Sequence, residues 1–316
     1  MAKKIYDSVM REIIVEGITK SFGNRKVLDN ISFTVHRGEI HGFLGPNGAG
    51  KTTTMKILTQ LLSADSGAVT FQNKNLQASV GFLLDEPPLY SDMTVREYLK
   101  FLAQLRSVPA KLIEENVEYA LSALDLKPIE NRLIENISKG YKQRVGIAQA
   151  IVHKPEVLIL DEPTVGLDPK SVVEIRNFIK GLREEHTILL SSHLLYEMGL
   201  VCDRITIIKN GEIVETGEIK EIRKKLAGKN HLQFRTKKES QELDLFIQQL
   251  PGYQSFHKEK IDNEFSYQVH FFTEQDIRSE VVAKTVELNA ELVFFQQKEL
   301  SLEDIFMQVT DGDVTQ

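Results

Sequence analysis

The chain has 316 residues, 41% hydrophobic and 27% charged, an ordinary globular composition with material for one large or two ordinary domains. A net charge of −6 argues against a nucleic-acid binder held by a basic surface. The single cysteine, Cys202, rules out an internal disulfide and a cysteine-based metal cage, and is expected as a small buried apolar residue. Met1–Asp7 lacks the apolar core of a signal peptide, and no run approaches the roughly 18 apolar residues that span a bilayer. The expectation is a cytosolic chain whose membrane association comes through a partner.

In chain order, residues 1–11 are a polar extension. Ile13–Ile18 and the alternating Ile31, Phe33 and Val35 predict two strands that start an antiparallel layer, with a turn at Phe22-Gly23-Asn24 between them. Phe22 is a candidate platform for stacking a purine base. Glu39–Leu44 reads as a short buried strand, and Thr53–Leu58 as the start of a helix. Between them, Gly45-Pro46-Asn47-Gly48-Ala49-Gly50-Lys51-Thr52-Thr53 matches G-x-x-x-x-G-K-[ST], the phosphate-binding P-loop. Its glycines let the backbone wrap a phosphate chain, and the amides at the helix N-terminus point at the anion. Lys51 can neutralise the terminal phosphates, and the hydroxyl of Thr52 can ligate Mg²⁺.

Beyond a turn at Leu61–Gly67, strands are predicted at Val69–Phe71 and Val80–Leu84, the second leading into a proline-bearing loop, Asp85-Glu86-Pro87-Pro88. Thr94 with Glu97 forms a capping box for a helix over Val95–Arg106, followed by a second amphipathic helix at Lys111–Leu124. Ile137–Arg144 then runs into a helix at Val145–Val152. Val157–Leu160 reads as a buried parallel strand delivering Asp161 and Glu162 to the crevice at strand ends. Asp168-Pro169 starts a helix whose expected buried face is Val172, Val173, Ile175, Ile179 and Leu182. Thr187–Ser192 is a strand that delivers His193, and Asn210-Gly211 turns a hairpin between Ile205–Ile208 and Glu212–Val214. Lys220–Lys229 reads as a linker. Beyond it come strand 231–236, helix 241–250, strands 253–260 and 264–272, helix 274–288, strand 290–298 and helix 301–310, with no catalytic constellation.

The ordered set Gly45–Thr53, Ser138-Lys139-Gly140, Leu158–Glu162, Gly166-Leu167-Asp168 and Ser192-His193 resembles the ATP-binding subunit of ABC transporters over roughly residues 11–225. The resemblance implies a Walker A motif at 45–53, a signature at 137–141, a Walker B motif at 157–162, a D-loop around 165–168 and a switch histidine at 193. It implies an α/β fold: a P-loop NTPase core with an antiparallel β subdomain and an inserted helical subdomain at about 88–155. This ABC ATPase domain would span 12–226, followed by a small α+β accessory domain at 230–316.

By the same resemblance Asp161 would hold Mg²⁺, Glu162 would activate the attacking water, and His193 would contact the γ-phosphate of ATP. Ser138 and Gly140 would complete the site of a second nucleotide-binding subunit, head-to-tail, so that a homodimer drives a separate integral-membrane permease. Three departures stand out. Lys139 puts a charge into the signature, as in exporters whose ATPase and membrane subunits are separate chains. The loop position that usually carries a metal-binding glutamine falls on Asp85, or on Glu86. Phe22 stands where tyrosine is more usual. The tail Ser301–Phe306 is similar to the ends of drug, polysaccharide and gliding-type export ATPases. Alternatives are a non-transport ABC ATPase acting on nucleic acid or ribosomes, disfavoured by the acidic balance, and a catalytically idle regulatory protein. The transported substrate is invisible in the sequence.

Overall fold

The computed structural model describes residues 11–73, 80–85, 87–222, 229–273 and 275–299. The predicted extension up to residue 10, the Glu86 alternative, most of the expected linker and the 301–310 helix lie outside them. The chain divides into two compact units, Met1–Ile219 and Lys220–Gln316.

The first unit holds two sheets. β1 (Arg11–Phe22) pairs antiparallel with β2 (Arg25–His36) and with β4 (Ser66–Phe71), in the order β2-β1-β4. The second sheet has six strands. Besides β3 (Ile40–Leu44), it contains β5 (Val80–Leu83), β6 (Val157–Leu160), β7 (Thr187–Ser192), β8 (Arg204–Lys209) and β9 (Glu212–Glu218), ordered β5-β6-β7-β3-β8-β9. All pairs are parallel except β8–β9. Every residue of β3, β6 and β7 is buried, the continuous apolar pattern of strands covered on both faces. The β8–β9 hairpin turns at Asn210 and Gly211, both at positive φ (51° and 84°), the backbone of a type I′ turn.

The helices follow their caps. α1 is Lys51–Leu58. α2 (Val95–Leu105) opens on a complete capping box: the Thr94 side chain accepts from the Glu97 amide, and the Thr94 amide donates to Glu97. α3 is Ala110–Ala123. α4 runs Lys139–Ile151 with Ser138 as its N-cap, so it begins six residues before the expected Val145. α5 (Pro169–Leu182) is capped by Asp168, and α6 is Leu195–Val201. On α5 the buried residues are Ile175, Ile179 and Leu182, whereas Val173, expected on that face, is 47% exposed. Its position lies off the 3, 4-spaced stripe that faces the core.

One glycine fixes how α4 meets the sheet. On β5, Gly81 lies against the α4 backbone so closely that a methyl group would overlap the Ala150 carbonyl oxygen. Gly81→Ala is therefore expected to destabilise the first unit by about 3 kcal/mol, the cost of overpacking a rigid core. Urea unfolding of the two proteins checks this; an unchanged midpoint would contradict the packing.

The second unit runs β10 (Lys229–Thr236), α7 (Gln241–Gln248), β11 (Tyr253–Ile261), β12 (Glu264–Phe272), α8 (Arg278–Glu287) and β13 (Leu292–Glu299). Its antiparallel sheet is ordered β11-β12-β10-β13, the split βαβ arrangement of ferredoxin-like folds. Leu232, Phe234, Tyr267, Val269 and Phe271 alternate onto one sheet face and form a core with Leu243, Ile247 and Val281 of the helices.

Candidate functional site

Three parallel strands end side by side in the order β6-β7-β3, and the chain leaving each carries a predicted site residue. β3 leads into Gly45 and the glycine-rich loop, β6 into Asp161 and Glu162, and β7 into His193. Open parallel sheets bind ligands at such strand ends.

The loop from β3 enters α1 through Gly50, which sits at φ 111°. A Cβ there would lie 2.5 Å from Leu28 Cδ2, so both backbone and space require glycine. Side chains cap α2, α4 and α5, whereas no side chain caps α1 and no acid stands in its first turn. Its first amides stay available, with the dipole, for an anion. A cavity of about 460 Å³ opens there, lined by Asn47, Gly48, Gly50, Lys51, Thr52 and Thr53. From elsewhere in the chain Asp85, Glu162 and His193 join the same lining.

The charges in this cavity are interlocked. Lys51 Nζ donates to the Gly45 carbonyl at 2.8 Å and the Pro46 carbonyl at 3.3 Å, and pairs with Glu162 Oε1 at 3.1 Å. The other carboxylate oxygen, Glu162 Oε2, meets His193 Nδ1 at 2.9 Å. Glu162 is 9% exposed, so its two partners balance a charge that would be costly alone. Asp161, the residue before Glu162, is fully buried and is not among the residues lining the cavity. Its Oδ1 accepts from Ser191 Oγ at 2.5 Å, while its Oδ2 is buried with no hydrogen-bond partner.

That orphaned oxygen is the observation on which a metal can be tested. Buried carboxylate oxygens are satisfied in nearly all native structures, and Mg²⁺ takes hard oxygen donors, one or two carboxylates plus phosphates and water. Asp161 Oδ2, the Thr52 hydroxyl and Asp85 are such oxygen donors, so the chemistry of these residues fits the ion. Among the described residues no group of three His, Cys, Asp or Glu could hold a metal by itself.

Other predicted residues stand apart from the cavity in this single chain. Ser138 and Gly140 sit at the N-terminus of α4 and do not line it. Gly45, Pro46 and Ala49 shape the loop from behind: Gly45 donates to Ser192, and Ala49 to Pro46. Phe22 is 51% exposed at the end of β1, with Lys20 Nζ 5.7 Å from its ring, and is not in the lining. Its neighbours across the hairpin, Arg25 and Val27, are. Sequence reasoning passed over both, although their place on the strand paired with Phe22 was a usable signal. Val165, at the start of the expected D-loop, also lines the cavity.

Past the turn after Glu162, Asp168 caps α5. Its Oδ1 accepts from the Lys170 and Ser171 amides, and its Oδ2 from Ser171 Oγ at 2.6 Å. The Ser171 hydroxyl and then its amide hold the Asp168 carboxyl below the usual range. Arg144 of α4, 8% exposed, lies between the rings of Tyr141 and Phe178 at 5.0 and 4.9 Å and pairs with Glu174 of α5. The helix that Ser138 caps is thereby tied to the helix that Asp168 caps.

Known proteins resemble this chain in sequence and in fold. A family profile for ABC transporters matches residues 28–165. The bacitracin transport ATP-binding protein of Enterococcus faecalis is 40% identical over 69% of this chain and 73% of its own length. An uncharacterised ABC transporter ATP-binding protein of Bacillus subtilis is 32% identical over 94% of this chain and 96% of its own, so it spans both units. Among solved structures, CbiO1 of Clostridium perfringens, part of the ABC transporter complex CbiONQ, matches with a TM-score of 0.61 and 29% identity, covering 69% of this chain and 94% of that one. Among the described residues no helix is long and apolar enough to cross a membrane.

Proposed function

The chain belongs to the family of ABC transporter ATP-binding proteins and is an ATP-hydrolysing subunit of that family, and we propose that it works as half of a head-to-tail homodimer that drives a separate membrane subunit in export. The observation that carries the hydrolytic reading is the position of Glu162. Its carboxylate lies at the cavity wall between the Lys51 ammonium and the His193 imidazole, at 3.1 and 2.9 Å.

In this reading the Gly45–Thr53 loop and the α1 amides cradle the phosphates, and Lys51 exchanges Glu162 for the terminal phosphates. Thr52, Asp161 and Asp85 would hold Mg²⁺, which when bound would supply charge neutralisation for the phosphates. Glu162, released from Lys51, takes the proton of the attacking water, and His193 holds the carboxylate and reaches the γ-phosphate. Phe22, with Arg25 and Val27, forms the base edge. Ser138 and Gly140 stand outside the cavity of their own chain, which supports their acting on the nucleotide of a second copy.

A membrane subunit would seat on the apolar groove of about 300 Å³ lined by Phe82, Leu84, Tyr90, Phe101, Leu102 and Leu105. Leu84 directly precedes Asp85 of the nucleotide cavity, so one loop serves both places. A peripheral position on the cytoplasmic membrane face follows from that docking. The bacitracin relative and the Lys139 signature support export of a drug-like or peptide cargo.

Phosphate release from ATP by the purified chain, with Mg²⁺ and then with its membrane partner added, tests the reading. Turnover that requires Mg²⁺ is expected. No turnover even with the partner present would leave a regulatory protein instead.

A further inference from the structure

Beyond the groups that face the cavity, one set of side chains grips the Asp161–Thr164 turn from a single neighbouring segment. Ser191, on β7, is fully buried. Its Oγ accepts the Glu162 amide at 2.9 Å and donates to Asp161 Oδ1 at 2.5 Å. β6 ends at Leu160, so the strand ladder no longer supports Glu162, and this hydroxyl takes its place. The need is specific, because Glu162 has φ 47°, a left-handed backbone that a non-glycine residue keeps only where its surroundings fix it.

A second grip lies further along. Thr164 Oγ1 donates to Glu197 Oε2 at 2.7 Å. Glu197 is on α6, one turn beyond His193, whose Nδ1 meets Glu162 Oε2. The entry to α6 is itself pinned, since the Leu194 amide donates to Ser192 Oγ at 2.9 Å. Residues 191–197 thus reach the 161–164 turn at its start through Ser191, in its middle through His193, and at its end through Glu197. Ser191, Thr164 and Glu197 do not line the cavity; they hold the two residues that do.

We propose that Ser191 and the Thr164–Glu197 pair are positioning residues, a clamp that fixes the Glu162 carboxylate and the His193 imidazole as one rigid unit facing the terminal phosphate. The inference rests on the reading of Glu162 as the residue that activates water. Buried hydrogen bonds of this kind set catalytic geometry rather than substrate affinity, and small displacements there are expensive in rate.

The test uses the full chain carrying Ser191→Ala, Glu197→Ala, Glu197→Gln or Thr164→Ser. Ser191→Ala and Glu197→Ala should each lower kcat for ATP by about 10- to 100-fold, with KM held within about threefold. Glu197→Gln keeps an acceptor for the Thr164 hydroxyl, and Thr164→Ser keeps the donor, so both should stay within about threefold of the parent. Hydrogen exchange of the nucleotide-free protein gives a readout independent of hydrolysis. Exchange over residues 161–165 should rise by about tenfold or more in the two alanine variants and remain parental in the two conservative ones. Unchanged exchange, parental kcat in both alanine variants, or kcat and ATP affinity falling together would overturn the clamp. A parent that hydrolyses no ATP but shows the expected exchange pattern would instead overturn the hydrolytic reading and still support the clamp.

Discussion

Glu162→Gln should cut ATP turnover by at least about 10²-fold while leaving ATP bound, because the substitution keeps the shape of the side chain and removes its ability to take a proton. Glu162 is nearly buried and held between Lys51 Nζ and His193 Nδ1, so the glutamine stays in place and the loss is chemical rather than conformational. The same contacts predict a second effect of opposite sign on binding. The carboxylate competes with phosphate for the Lys51 ammonium, and beside bound nucleotide it lies near a chain of like charge. Neutralising it should leave ATP affinity equal to the parent or up to about tenfold tighter, the equivalent of 1.4 kcal/mol. In the proposed homodimer, ATP that binds and is not consumed holds the two copies together, so gel filtration with ATP should show a dimer that the parent forms only transiently. Turnover within about threefold of the parent would remove Glu162 from the chemistry.

The phosphate cradle was legible because its signals are local. An apolar strand, glycines at fixed offsets and a Lys-Thr pair stand in consecutive positions, and the capping residues Thr94 and Asp168 lie within three residues of the amides they satisfy. Parts that depend on one element meeting another were hidden. The start of α4 reads as polar from Lys139 to Arg144, and charged residues are ordinarily assigned outward. In the fold Arg144 is buried between two aromatic rings, one of them contributed by α5, and no periodicity within α4 announces that. Val173 shows the converse: an apolar residue beside the stripe was assigned inward and stands in solvent. Arg25 joins the cavity because the β1–β2 hairpin brings it there. Ser191 is 30 residues from Asp161 in the chain, and only the pairing of β6 with β7 makes them neighbours. A serine in an apolar strand carries no sign of the carboxylate it will meet.

Lys51→Ala should weaken ATP binding by about 10- to 100-fold, the worth of one charge-assisted hydrogen bond at 1.5–3 kcal/mol. The contacts of Lys51 show why the loss is not larger. Lys51 already spends its donors on the Gly45 and Pro46 carbonyls and its charge on Glu162, so ATP gains only the difference between those partners and the phosphates. Removing the ammonium also leaves the Glu162 carboxylate facing the phosphates with His193 as its remaining partner among these contacts, which adds repulsion to the lost attraction. The two substitutions are therefore coupled. Lys51→Ala combined with Glu162→Gln should bind ATP more tightly than Lys51→Ala alone, because the uncompensated carboxylate is gone. Equilibrium titration with a fluorescent ATP analogue across the four proteins measures this directly, as contacting residues show interaction energies of about 0.5–3 kcal/mol in such cycles. Unaltered affinity in Lys51→Ala would refute the phosphate role of the loop. Strict additivity would leave that role standing and remove the Lys51–Glu162 pair from the resting site.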